Sequence, residues 1–497
     1  MSEVPGWRSA RWFLPIIILV YLVLGILYAA YTPAWQAPDE PAHYNYIRYL
    51  AEQHRFPVLK PGDFPAAYLE EIKAARFPPE MSIEPIRYEF HQPPLYYLLA
   101  VPFYRLFGGS LLPLRLLSVL LGGLLLVVVY WAVEALVPDR PLLALGSTAF
   151  VAFLPMHLAM TASVNNDILS ELLLAVVLLL TIRYLRPELV RSGPEAELRH
   201  LVLLGITTGL GLVTKSSLYI VPALVLAAIA ARKLWLEDHE TTGAEGLRSW
   251  AIYLLPSLAL ALPWWLRNMA VYGGFDFLGL GRHNQVVVGQ LRTAEFVAQF
   301  GLPRLVQDFV VTSFRSFWGQ FGWMGVLLDQ RLYQALAVLS ALAAIGFSVW
   351  IARIWRRRYR LPRWQWLAGG LLSLWILLTL ASYVWYNTTF LQHQGRYLFR
   401  ALVPIGLAVA LGWRETLRRD LALPLAGLLV LGGVLLRIAG LLSNWPLLMM
   451  IAAAIGLGAR YLLPRRFDAL AHATPYIALI ALDVASLFLF VVPQLAA

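Results

Sequence analysis

The chain is organised by long apolar runs. Thirteen stretches are long enough to cross a bilayer, at about 12–31, 112–137, 142–163, 168–186, 199–214, 217–232, 250–268, 332–353, 364–386, 397–413, 421–441, 446–462 and 473–493. A spanning helix needs about 20 such residues, because its backbone polar groups must be satisfied within the segment. These runs predict an all-α polytopic membrane protein with about 13 transmembrane helices. Composition agrees: hydrophobic residues make up 59% and charged residues 14%, too few charges to cover a water-facing surface. Disorder, a coiled coil and a soluble multidomain chain are excluded. The chain has no cysteine, which removes disulfides, thiolate nucleophiles and Cys-ligated metals. The first run is too long for a cleavable signal and lacks a small-residue cleavage site. With no GxxxxGK[ST] or GxSxG motif, the sequence argues against ATP hydrolysis, serine hydrolase chemistry and a cytosolic nucleotide-sugar domain.

Arginine sets the expected orientation. The net charge is +11, carried by 36 Arg and 4 Lys against 29 acidic residues. With the N-terminus (Arg8, Arg11) in the cytoplasm, 22 basic residues fall inside, including Arg140, Arg183, Arg186, Arg191, Arg353, Arg356, Arg357, Arg358, Arg360, Arg363, Arg414, Arg418 and Arg419. Short outer connections hold four: Lys215, Arg396, Arg400 and Arg437. This bias predicts N-in, C-out topology. Counting 94–107 as a span would invert all that follows, so it is expected to lie along the outer surface. In this setting the basic charge points to orientation and to anionic lipid or phosphate partners, not to nucleic acid. The six-arginine loop around Arg356 reads as an orientation and lipid-headgroup signal, not a binding site.

Two outer segments, 32–111 and 269–331, are too long to be mere connectors. They are expected to carry function within a single transmembrane domain over 1–497, completed by C-terminal helices over 332–497. Residues 42–55 read as a short amphipathic helix. Just before it lies Pro38-Asp39-Glu40-Pro41, with His43 one turn on. A carboxylate there suits a general base; an N-cap role for Asp39 weighs evenly against it. Asp167 and Glu171 share a helix face at i,i+4. Capping explains Asp167 well, whereas Glu171 lies deeper, where ionisable groups usually face a cavity. Lys215 and Arg267, at outer helix ends, suit a phosphate leaving group or simple snorkelling. Arg396 opens the tenth span and suits bidentate phosphate pairing. The stretches 316–322 (with Trp318) and 391–397 (with Tyr397) are dense in polar and aromatic groups. His91 and His283 sit on different outer loops without metal-ligand spacing. Asn387 heads a sequon, and Arg437 and Asp483 are candidates for a structural pair.

The ordered set of features resembles the GT-C superfamily of membrane glycosyltransferases, in particular its protein O-mannosyltransferase-like and aminoarabinose-transferase-like groups (glycosyltransferase family 39-like). The resemblance runs through Trp35…Pro38-Asp39-Glu40, Phe90-His-Gln-Pro93, a surface helix ending Leu106-Phe-Gly108, Arg115, Asp167, Gly209-Leu-Gly-Leu-Val-Thr-Lys215 and Pro263-Trp-Trp-Leu-Arg-Asn268. It implies an inverting transferase at the outer face of what is expected to be a bacterial inner or plasma membrane. The donor would be a polyprenyl-phosphate-linked sugar; the acceptor, a lipid, glycan or protein, stays open, and a monomer is expected. It further implies Asp39 as catalytic aspartate with Glu40 beside it, Asp167 as the second-loop acid, and Lys215 near the donor phosphate. Phe90-His-Gln-Pro93 departs from a common Glu-Lys pair at its middle. The missing lysine leaves the positive charge to Arg267, Lys215 or Arg396, with Gln92 and Tyr397 lining the donor phosphate and lipid. His91 stands where some relatives place a metal-binding carboxylate, so His91 and His283 leave a divalent metal open. His43, Glu171 and Trp318 are expected around the sugar or acceptor. A lipid-linked-sugar transporter or flippase, or a non-catalytic GT-C-like subunit, are the rival readings. A flippase would show mid-membrane ionisable groups and broken helices, whereas the ionisable groups here gather at the outer face.

Overall fold

The computed structural model describes residues 11–190, 192–237, 243–356 and 360–496. Arg8, Arg191, Arg357 and Arg358 lie outside them. Among the described residues eleven helices are long and apolar enough to span a membrane. A bent pair, Pro141–Ala152 and Pro155–Thr161, makes up to twelve. The break is where the chain must re-aim: Leu154 is extended at ψ 113° and Pro155 starts the second helix, so no helical hydrogen bond can run through that proline. The expected run at 199–214 is helical, as Pro194–Leu212. Its first turns carry Glu195, Glu197 and Arg199, which keep it outside the apolar set.

Small residues let this bundle pack closely. A Cβ on Gly346 would meet the Gly412 carbonyl oxygen at 2.0 Å, so those two helices touch backbone to backbone, as small residues allow in membranes. The segment 94–107 holds the helix Leu95–Leu106. Its 12 residues rise about 18 Å, too short for the roughly 30 Å core. The amphipathic segment is the helix Glu40–Gln53, with Tyr46, Ile47 and Leu50 turned into the main core.

The two long loops interlock. Residues Gln320–Phe321 pair antiparallel with Val326–Leu327, and Trp323 at the tip donates its indole N–H to the Trp35 carbonyl at 2.9 Å. Asn387 is buried and bonded to Tyr383, Gln392 and His393, so its sequon is structurally spoken for. Arg437 and Asp483 do not pair. Arg437 donates to Asn444 at 3.0 Å, while Asp483 is fully buried elsewhere beside Tyr28.

Candidate active site

The chain leaves the Phe13–Tyr31 helix and turns twice through left-handed backbone, at Trp35 and Asp39, both with φ 67°. Such conformations cost of order 1–3 kcal/mol in non-glycine residues and persist where the surroundings enforce them. Asp39 stands at the N-cap position of Glu40–Gln53, yet its side chain does not cap. One carboxylate oxygen, Oδ2, accepts from Arg396 Nη2 at 2.6 Å. The other, Oδ1, accepts from the Tyr88 hydroxyl at 2.8 Å. A second pair stands beside it. Lys215 Nζ donates to Asp167 Oδ1 and, at 3.2 Å, to Asn166 Oδ1. His43 lies in the field of Asp39, Asp167, Glu89 and Lys215, so the two pairs and His43 form one polar cluster.

The charge states follow from these neighbours. Burial pushes the Asp39 carboxyl up, but the Arg396 guanidinium and His43 outweigh it, holding Asp39 below the ordinary carboxylate range. Burial pulls the His43 imidazole down despite Glu89 and Asp39; its Nδ1 meets the Tyr97 hydroxyl at 2.9 Å. Burial raises Glu89, and the nearby Asp39 charge adds to that while His43 opposes it. Glu89 Oε2 is buried with no hydrogen-bond partner. Glu89 and Tyr88 directly precede Phe90-His91-Gln92, and only the fold brings them to Asp39 and His43.

Arg396 reaches Asp39 because Gly395 permits it. A Cβ on Gly395 would lie 2.2 Å from the Ser313 carbonyl oxygen and 2.5 Å from the Phe317 nitrogen. The Gly395 N–H donates to Ser316 Oγ at 2.7 Å. The two polar-aromatic stretches, 316–322 and 391–397, therefore meet, and their contact aims the arginine.

Glu40 behaves differently from its neighbour. Its side chain is fully enclosed and pairs bidentately with Arg115, Nε to Oε1 at 2.8 Å and Nη2 to Oε2 at 2.6 Å. It also accepts the backbone N–H groups of Val164 and Trp35. Arg115 in turn donates to the carbonyls of Ala29, Thr32 and Pro33. Expected beside Asp39 as catalytic, Glu40 is buried, and its four hydrogen bonds tie the start of the Glu40–Gln53 helix to Arg115, Val164 and Trp35.

The remaining expected residues divide. Tyr397 packs on Tyr383 and Tyr386 next to Arg396. Gln92 Oε1 faces Ser216, beside Lys215, at 3.4 Å. Glu171 turns inward to His157 Nε2 at 2.9 Å and lines a small cavity with Arg400, a residue the sequence reading used only for topology. Trp318 is buried against Phe150 and Phe317; it is a core side chain, not a pocket wall. Arg267 donates to the Pro57 carbonyl at 2.5 Å and stacks over Trp264, tied to the first loop and not to either acidic pair. His91 and His283 do meet, with ring centroids 4.7 Å apart. Burial depresses both, helped at His91 by His283. No group of three or more His, Asp or Glu side chains among the described residues is arranged to hold a metal, so the residues present do not fit the divalent ion that the resemblance left open.

The all-helical membrane bundle has counterparts among solved structures. ArnT from Cupriavidus metallidurans bound to undecaprenyl phosphate matches at TM-score 0.55 and 15% identity, over 97% of this chain and 77% of that one. The Archaeoglobus fulgidus oligosaccharyltransferase tethered to an acceptor peptide matches at TM-score 0.53 and 14% identity, over 96% of this chain. The present chain spans only 56% of that oligosaccharyltransferase's length. AglB from the same archaeon, in complex with an inhibitory peptide and a dolichol-phosphate, matches at 0.51 and 13%, over 96% and 56%. In sequence, residues 91–265 match the family described as dolichyl-phosphate-mannose-protein mannosyltransferase. No curated protein matches the chain in sequence. The chain is an integral membrane protein with the GT-C fold, as the sequence resemblance implies.

Proposed function

We propose that this protein transfers a sugar from a polyprenyl-phosphate carrier to an acceptor at the outer face of a bacterial plasma membrane, with inversion at the anomeric carbon. The observation that carries this reading is the pairing of two carboxylates with two cations at one end of the bundle: Asp39 with Arg396 and Asp167 with Lys215. The GT-C fold and the carriers seen in two neighbours, undecaprenyl phosphate in ArnT and dolichol-phosphate in AglB, support the donor class.

The chemistry follows from charge. Without donor, each cation is neutralised by an aspartate. An arriving lipid phosphate competes for Arg396 and Lys215, since phosphate is a strong acceptor for both. Asp39 then loses its guanidinium partner, keeps the Tyr88 hydroxyl, and becomes a stronger base with one oxygen open. The acceptor O–H or N–H gives its proton to Asp39 as its lone pair attacks the anomeric carbon. The bond from that carbon to the phosphate oxygen breaks on the opposite face, and its electron pair stays on the phosphate. Arg396 and Lys215 stabilise the negative charge developing there. Glu40 is a positioning residue that acts through Arg115 and the loop backbone, and Gln92 and Tyr397 flank the phosphate end of the site.

A second reading of the base rests on Glu89, whose unpartnered buried oxygen lies in the field of His43 and Lys215. The acceptor is a lipid, glycan or protein nucleophile. The test is an incubation of purified protein with a panel of polyprenyl-phosphate sugars and membrane extract. Release of polyprenyl phosphate with one donor supports transfer. No release, with donor-dependent thermal stabilisation alone, supports a flippase or a non-catalytic subunit.

A further inference from the structure

The opposite end of the bundle holds a cavity that the proposed transfer does not use. It measures about 390 Å³ and is lined by Arg140, Arg360, Arg414 and Arg418 with Glu415, Gln365 and Trp350. The Leu111–Leu136 helix separates the two ends: Arg115, near its start, touches the first loop, and Val137, just past its end, lines this cavity. At 26 residues that helix rises about 39 Å, so the cavity opens at the other membrane face. By the arginine bias of the loops that face is cytoplasmic.

We propose that this cavity binds a phosphate group. Its lining carries four guanidinium groups and one carboxylate, an excess of positive charge in a recess the size of a headgroup. The acids on its rim are already engaged: Glu415 with Arg353 at 3.5 Å and Arg418 at 3.7 Å, and Asp420 with Arg353 at 2.8 Å and Arg418 at 3.0 Å. Arg140 and Arg360 make no ion pair among the described residues. Two helices also start at the cavity. Arg140 precedes the Pro141–Ala152 helix, and Leu361 and Gln365 flank the start of Arg363–Asn387. Their N-terminal dipoles add positive potential to that of the guanidiniums. Trp350 supplies an amphipathic ring of the kind found at headgroup depth. A basic recess between transmembrane helices is suited to the phosphate of an anionic phospholipid and equally to a soluble phosphate, and the experiment separates the two.

The full chain, purified in detergent, is examined by native mass spectrometry with phosphatidylglycerol or phosphatidylcholine in the micelles, and by thermal shift with inorganic phosphate. Arg140→Gln and Arg360→Gln are compared with Arg140→Lys. Arg360 is exposed, so its variant tests binding without touching the core. Phosphatidylglycerol retained over phosphatidylcholine, falling about fivefold per arginine removed and restored by Arg140→Lys, supports the proposal with a lipid source. Stabilisation by inorganic phosphate with the same arginine dependence, and no lipid preference, supports it with a soluble source. No preference for either, or a preference unchanged in both glutamine variants, overturns it.

Discussion

Replacing Glu40 by glutamine should unfold the first long loop before it disturbs any chemistry. Glu40 is 0% exposed and the Arg115 side chain only 4%. The carboxylate accepts four hydrogen bonds, two from Arg115 and one each from the Val164 and Trp35 N–H groups. Glutamine keeps one acceptor oxygen and points an NH₂ group at donors, while Arg115 keeps its charge in a buried site. Removing one partner of such a pair costs about 3–5 kcal/mol, because the other charge stays desolvated. The size of the cost follows from the surviving cation, so Glu40→Gln with Arg115→Gln should lose less than the two single losses added together. The assay is equilibrium unfolding of the purified variants in mixed micelles. A loss under about 1 kcal/mol in Glu40→Gln, within the range of exposed pairs, would refute a buried pair that anchors the loop. Additive single losses would refute the coupling.

Four further outcomes follow from the site. Gly395→Ala forces a methyl into the Ser313 carbonyl at 2.2 Å, so it should displace Arg396 and lower transfer tenfold or more at saturating donor, read as kcat, while Gly369→Ala, where a Cβ meets nothing, should not. Lys215→Ala should raise the apparent KM for the lipid-linked sugar by about 10–100-fold, the worth of a charge-assisted hydrogen bond; an unchanged KM moves the phosphate contact elsewhere. The acid limb of kcat/KM reports the free enzyme's base. With Asp39 depressed and Glu89 raised, activity that persists down to or below pH about 4 marks Asp39, and an acid limb above the ordinary carboxylate range marks Glu89. The same depression gives a stability term with a definite sign. It is fully present above the unfolded aspartate value of about 3.9 and is lost as pH falls through the lower folded value, which acid titration of Asp39→Asn against the parent chain measures.

The membrane architecture was legible because apolar length is a local property. That Leu95–Leu106 is too short to be a span was legible by a different route, since counting it as one would have reversed the arginine bias. The kinked Pro141–Ala152 and Pro155–Thr161 pair read as one continuous run, because hydropathy carries no angle. At the site, Asp39, Asp167, Lys215 and Arg396 were visible as polar residues in improbable places, and the structure brings them together. The burial of Glu40 was not legible, because adjacency to Asp39 says nothing of direction. Successive residues at a helix start face different ways, and Glu40 turns into the protein to meet Arg115. Trp318 lies in a polar-aromatic stretch but points into the core. Glu89 and the Gly395 contact were invisible for a common reason, since each depends on a partner far along the chain or on burial that only the fold creates.

The central claim is that Asp39 is the base of a transfer reaction at the donor-cation cluster. The measurement that tests it most directly is the rate of polyprenyl phosphate release by Asp39→Asn beside Glu89→Gln, at saturating donor and acceptor. The variants must match the parent chain in thermal stability and donor binding. The account predicts a loss of about 10²–10⁴-fold for Asp39→Asn, the usual share of a general base, and a much smaller loss for Glu89→Gln. A fully active Asp39→Asn protein, or the reverse order of losses, would contradict it.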